Sequence, residues 1–152
     1  MKRNVLLDAN MLIGAFDHDP ANAEHVRARA ELRALLSDPD VTLAITPLVS
    51  FEVLRKPTRT GPAELESRLD TFRNFPVSGA EARRAAEVFR LFSTARGKPE
   101  RRNLEKLSMD IFYCACLELN HLEPRSRDGD IPGILQLMRE NPITIQSSKQ
   151  NV

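Results

Sequence analysis

Val5-Leu6-Leu7 is an apolar triplet without polar interruption, and it runs straight into Asp8. It reads as a short buried strand. Met11, Leu12, Ile13, Ala15 and Phe16 follow at helical spacing. A buried strand leading into a helix puts Asp8 at the strand's carboxyl end. In an open α/β sheet that edge is where ligands bind. Asp is also a favoured helix N-cap, so Asp8 taken alone implies only that a helix begins there.

The same strand-then-helix pattern repeats along the chain. Asp17-His18-Asp19-Pro20 is a turn, and residues 21 to 37 form a charged helix with Val26, Ala30, Leu32, Leu35 and Leu36 as its apolar positions and His25 on its surface. Val41-Thr42-Leu43-Ala44-Ile45 is β-rich and alternates, so it is a strand. Thr46-Pro47 then starts a helix, with Thr as cap and Pro in the first turn. That helix, Leu48 through Arg55, is apolar nearly all round except at Glu52. A helix is expected over residues 63 to 73, and an edge strand at Phe75-Pro76-Val77-Ser78, where Pro forfeits a ladder bond. Ser78 or Gly79 opens a helix to about residue 96, with Ala82, Ala85, Ala86, Phe89 and Phe92 as its buried face. A basic loop follows, then a helix from Leu104 or Ser108 to Asn120. A weak strand is placed at 122 to 126, a helix at 131 to 140 and a last strand at Ile143-Thr144-Ile145. Short strands alternating with helices predict right-handed βαβ units around a mostly parallel sheet of four or five strands.

Composition narrows the class. The 152 residues suit one domain, placed at 1–147 with a polar tail at 148–152. At 41% hydrophobic and 28% charged the chain has an ordinary globular balance. A net charge of +1 excludes polyanion binding through bulk charge, so any nucleic-acid contact must come from local patches. No apolar run is long enough to span a bilayer and no secretory signal peptide is visible, so a cytoplasmic location is expected and no membrane partner. Cys114 and Cys116 lie two apart in a helical run, a spacing that favours reduced core residues over a disulfide. His18, His25 and His121 have no zinc-ligand spacing.

Carboxylates recur at equivalent places. Asp8 follows the first strand, and Glu52 lies in the helix after the second. Asp110 falls in a first helical turn if Ser108 is the cap, and Asp128 and Asp130 follow the weak strand. In a parallel sheet all of these lie toward the carboxyl edge. Acidic groups gathered there repel one another unless a cation intervenes. Hard divalent ions take such oxygen ligands, and the chemistry this suits is phosphodiester hydrolysis. Each residue also has an ordinary explanation. The helix dipole favours Asp110 near a helix start, and Asp128-Gly129-Asp130 is turn chemistry. Glu52 is the hardest to explain away, because a carboxylate in so apolar a helix is costly if buried. Arg55 is its only evident local partner.

Residues 5 to 12, the run from Thr46 to Arg55, and Asp110 leading a Cys/Ala-rich helix together resemble the PIN-domain ribonucleases, most closely the small bacterial toxins of VapC type. The resemblance covers essentially the whole chain. It implies a PIN-like three-layer sandwich, with a five-stranded parallel sheet between helices. It also implies an acidic Mg2+ or Mn2+ site that cuts single-stranded RNA, a cognate antitoxin and a homodimer. By motif match Asp8, Glu52, Asp110 and Asp128 are the acidic quartet, and Asn10 and Thr46 line the site. The fourth motif departs from the family pattern of an apolar strand, Thr, then Asp-x-Asp-Phe. Here it reads Leu122-Glu123-Pro124-Arg125-Ser126-Arg127-Asp128-Gly129-Asp130-Ile131. Ser126 stands for the Thr, and either Asp128 or Asp130 for the last ligand.

Basic residues neighbour three of these acids. Arg96, Lys98, Arg101, Arg102 and Lys106 precede Asp110; Arg55, Lys56 and Arg59 follow Glu52; Arg125 and Arg127 flank Asp128. Arg55, Arg96, Lys98, Arg101, Arg102 and Arg127 are the candidate RNA-backbone contacts, in a binding mode that weakens with salt. A solvated loop is the commoner meaning of such runs. With no Trp and one Tyr, base stacking is not prominent. The expected function is that of a metal-dependent endoribonuclease, the toxin of a type II toxin–antitoxin pair. The alternatives are a housekeeping RNA-processing nuclease and a scaffold that binds RNA or protein without cutting.

Overall fold

The computed structural model describes residues 1–17, 19–97 and 100–143, and of Arg102 the backbone alone. Strand β1 (Arg3–Leu7) leads into helices α1 (Ala9–Phe16) and α2 (Ala23–Ser37). Strand β2 (Val41–Ile45) leads into α3 (Pro47–Leu54) and α4 (Pro62–Leu69). Strand β3 (Arg73–Asn74) precedes α5 (Gly79–Arg96), a 3-10 turn (Arg101–Asn103) and α6 (Leu104–Asn120). Strand β4 (Glu123–Arg125) precedes α7 (Asp130–Glu140). Among the described residues the sheet has four strands, all parallel, in the order β3-β2-β1-β4. The alternation of strands and helices in the sequence is therefore an α/β fold. The expected last strand falls largely on residues 144 and 145 and the polar tail on 148–152; both lie outside the described residues.

The pleat of β1 and β2 divides the core. Val5, Leu7, Leu43 and Ile45 pack with apolar side chains of α1, α2, α3 and α4 on one face. Leu6 and Ala44 pack with those of α5, α6 and α7 on the other. Leu6 and Leu7 are fully buried, and burying such a side chain contributes about 1.5–3 kcal/mol. A slip of one residue would exchange the two faces, so the triplet fixes the register as well as the burial. Cys114 and Cys116 are buried free thiols in the second layer, as expected.

Several local expectations need correction. The edge strand is Arg73–Asn74, not 75 to 78, although the Phe75 N–H still reaches the Ile45 carbonyl. Helix α4 stops at Leu69. In α2 the buried positions are Ala28, Leu32 and Leu35, while Val26, Ala30 and Leu36 are exposed. In α5 they are Glu81, Arg84, Ala85 and Val88; Ala82 and Ala86 face solvent, and Phe89 and Phe92 are half-buried. The apolar pattern of α5 misleads because its buried stripe is partly polar. Arg84 is held by both carboxylate oxygens of Glu118 (2.7 and 3.0 Å), by Glu87 (3.2 Å) and by the Asn141 carbonyl (2.9 Å). A buried charge is tolerated when paired in this way.

Strand β4 is the unexpected element, because Pro124 lies opposite Leu6 and has no N–H to give. Pairing survives through Tyr113 of α6. Its buried hydroxyl donates to the Leu6 carbonyl (2.6 Å) and accepts the Arg125 N–H (3.0 Å). The Asp8 N–H then bonds directly to the Arg125 carbonyl (3.0 Å). Tyr113→Phe leaves two backbone groups of β1 and β4 unpaired. It should lower the unfolding free energy by about 1–3 kcal/mol, measured by urea titration. A loss within experimental error would mean that the hydroxyl does not carry this join.

Candidate metal centre

Asp8 is the first residue past β1 and caps α1, its Oδ1 accepting the Ala9 N–H (2.8 Å). Its Oδ2 accepts a hydrogen bond from the Ser126 hydroxyl (2.6 Å), and the Ser126 Oγ in turn accepts the Asp128 N–H (3.0 Å). Ser126 therefore ties the backbone after β4 to the Asp8 carboxylate at the end of β1. Glu52 stands on α3, a helix started by Pro47 and capped by Thr46, whose Oγ1 accepts the Val49 N–H (3.3 Å). Asp110 lies in the second turn of α6, because that helix begins at Leu104. Ser108 is thus not its cap; its hydroxyl donates to the Leu104 carbonyl.

These elements bring Asp8, Asn10, Glu52, Arg55, Asp110, Arg127 and Asp128 to one cleft of about 570 Å³ at the carboxyl end of the sheet. One carboxylate oxygen each of Asp110, Asp128 and Asp130 lie within 4.8 Å of one another. Asp110 is 94% buried by its 6% exposure, and its Oδ2 has no hydrogen-bond partner. Asp130 does not line the cleft; it lines a neighbouring cavity with Phe92, Arg96 and Asn103. It does not cap α7 through its own side chain either. Asp128 Oδ1 accepts the Asp130 N–H (2.9 Å), so the residue expected as ligand also shapes the turn. Thr46 is buried and acts as the cap of α3 rather than as a wall of the cleft.

The basic residues are arranged differently from the sequence expectation. Arg55 does not pair with Glu52; it reaches across to Glu105 on α6 (2.6 Å). Arg127 is drawn to Glu24 on α2 (2.7 Å), while its N–H contacts Asn10 Oδ1 (3.4 Å). Arg96 lies over the Phe92 ring beside the second cavity, and Arg101 is exposed. Lys98 and the side chain of Arg102 lie outside the described residues. One cleft residue escapes the sequence reading, and a second enters it only as part of a basic run. His25, taken as a surface residue, lines the cleft with its Nδ1 accepting the Asp19 N–H (3.2 Å). Lys106 bonds to Asp128 (3.1 Å) and Asp130 (3.2 Å). Its position one helical turn before Asp110 is a signal the sequence does carry.

Burial and mutual repulsion raise the acids. Burial, then Asp128 and Asp8, push the Asp110 carboxyl up to about 8. Burial, then Asp8, push Glu52 up to about 7. Burial also raises Asp8, against the hydrogen bonds from Ser126 and the Ala9 N–H. A carboxyl raised on folding binds protons that the unfolded chain has already lost. The share of stability from Asp110 and Glu52 is thus fullest below the ordinary carboxylate range and is lost as pH rises toward about 8. In metal-free protein Asp110→Asn should remove the larger part of that loss. It should melt roughly 2–4 °C above the parent at pH 8, about what 1 kcal/mol produces in such a domain, with the gap narrowing toward pH 5. Equal melting temperatures at pH 8 would contradict the assignment of strain to Asp110.

No protein-family model matches this chain, and no curated protein matches it.

Proposed function

We propose that the chain is a divalent-metal-dependent endoribonuclease of the PIN type, with a three-layer architecture completed by a fifth strand, serving as the toxin of a type II toxin–antitoxin pair. The observation that carries the catalytic part is the unpartnered, buried Asp110 Oδ2 in a cleft shared with Asp8, Glu52 and Asp128. A buried carboxylate oxygen without a donor is costly, and a cation is the ligand that answers it. The donor set is all oxygen, which fits Mg2+ or Mn2+ and not a thiolate-seeking metal. Asp8, Asp110 and Asp128 would hold the ion, with Glu52 beside them and Asp130 at the rim. The ion, when bound, supplies a water of lowered pKa and neutralises charge on the phosphate.

The protein's own groups account for the rest. Ser126 ties the Asp8 carboxylate to the backbone at Asp128 through its two hydrogen bonds. Glu52 forms no hydrogen bond or ion pair among the described residues. It is the carboxylate assigned to accept the proton of the attacking water. Arg55, Lys56 and Arg127 line the same cleft and supply phosphate contacts, Lys56 directly and the two arginines on exchanging Glu105 and Glu24 for RNA. The PIN assignment, antitoxin, homodimer and toxin role rest on the resemblance of the motifs around Asp8, Glu52 and Asp110.

The test is cleavage of a mixed RNA pool with Mg2+, with Mn2+ and with EDTA. Cleavage is expected with either metal and not with EDTA. Asp8→Asn and Asp110→Asn should each lower it on the order of 100-fold or more. Ser126→Ala should lower it about tenfold, as removing a residue that orients a ligand does. Circular dichroism should be unchanged in all three. Metal-independent RNA binding without cleavage would favour a scaffold, and a folded, fully active Asp8→Asn protein would refute the site.

A further inference from the structure

Among the described residues, Lys106 is a cation in direct contact with the proposed ligands. It bonds to Asp128 Oδ2 at 3.1 Å and Asp130 Oδ2 at 3.2 Å, from one helical turn before Asp110. The Asp128 side chain is only 9% exposed. Its Oδ1 is already committed to the Asp130 N–H. Its Oδ2 carries no backbone bond, and Lys106 sits on it, so an ion approaching that oxygen meets the ammonium. We infer that Lys106 is a tethered cation that fills the Asp128 side of the metal centre in the metal-free protein and is displaced when a divalent ion binds, thereby setting the affinity of the centre for metal. This rests on the metal-site reading above.

Geometry favours displacement over sharing. A hard divalent ion sits about 2.0–2.6 Å from its carboxylate oxygen, depending on its size. An ammonium left on that same oxygen would lie within a few ångströms of a double positive charge. The side chain has somewhere to go. It is 61% exposed, and it stands on the wall between the cleft and the neighbouring cavity of about 330 Å³. Asp130, which lines that second cavity, is exposed and can keep the ammonium after Asp128 is given up. The other cleft lysine provides the comparison. Lys56 has the same charge and lines the same cleft, but it makes no ion pair among the described residues.

The experiment is a calorimetric titration of EDTA-stripped protein with Mn2+, with melting temperatures recorded before and after. Lys106→Gln should bind Mn2+ about tenfold more tightly than the parent, the scale expected when an ion pair to a largely buried carboxylate no longer has to be broken. Its metal-free form should melt lower, and the deficit should close at saturating Mn2+. Lys56→Gln should change affinity by less than about threefold, a through-space charge effect alone. Lys106→Arg, which keeps the charge, should bind Mn2+ no more tightly than the parent. If the parent binds Mn2+ and Lys106→Gln binds it equally or more weakly, the tethered-cation inference fails and the metal site stands. An equal gain in Lys56→Gln would also overturn it, since contact with Asp128 would then be irrelevant. If neither the parent nor Lys106→Gln binds Mn2+, both the inference and the metal-site reading fall.

Discussion

Carboxylates gathered at low exposure repel one another, and the fold must supply what keeps them together. The anchor is β1. Val5, Leu6 and Leu7 are fully buried, and β1 is paired on both sides, with β2 and β4. Asp8, the next residue, has both carboxylate oxygens bonded. Its position thus follows from apolar burial on two faces and hydrogen bonding on two edges, rather than from any attraction among the acids. The other acids are carried by separate elements, α3, α6 and the segment after β4, each docked on that strand's sheet. Repulsion is therefore spread over several independent packing interactions, and no one of them has to meet all of it.

The side chains that join these elements do so through hydroxyls with two roles each. Ser126 donates to Asp8 and accepts from Asp128, and Tyr113 donates to β1 and accepts from β4. A hydroxyl is suited to this because it is donor and acceptor at once. Tyr113 explains how a strand containing Pro124 pairs with the central strand. The poor strand character of Pro124 and Arg125 is then met by a change in how β4 is held, not by the loss of the strand. Its carboxylate still reaches the cleft, since Asp128 follows Ser126 by two residues and is fixed through that side chain.

Much of the architecture was legible because it depends on local signals. The Val5-Leu6-Leu7 triplet, the β-rich run at 41–45 and the Thr46-Pro47 helix start each carry their own physical meaning, and the parallel α/β sheet follows from their order. The convergence of Asp8, Glu52, Asp110 and Asp128 was legible for the same reason, as each lies just after a strand or on the helix that packs there. What escaped the sequence depends on contacts between distant residues. The pairing of Arg55 with Glu105, of Arg127 with Glu24 and of Arg84 with Glu118 leaves no trace in spacing. The buried stripe of α5 was misplaced because the rule that charges face solvent fails when a partner from another helix satisfies them. Thr46 was right as a cap and wrong as a cleft wall. Its hydroxyl is taken up by the Val49 N–H and the residue is buried.

The paired cations also alter how the near-zero net charge should be understood. Arg55, Arg127 and Lys106 all line the acidic cleft, yet each is held by a carboxylate, that of Glu105, Glu24 or Asp128. Two of these three acids, Glu105 and Glu24, are exposed and belong to helices at the rim. Exposed ion pairs of this kind contribute only about 0–1 kcal/mol and are readily exchanged. Either guanidinium can therefore leave its carboxylate at little energetic cost, because the released carboxylate returns to water. Lys106 differs from the two arginines, because the half-buried Asp128 that holds it cannot turn to solvent in the same way. Its release requires a cation to replace it. The cleft thus combines two kinds of positive charge: arginines held by exposed carboxylates, and a lysine held by a carboxylate of the acidic cluster itself.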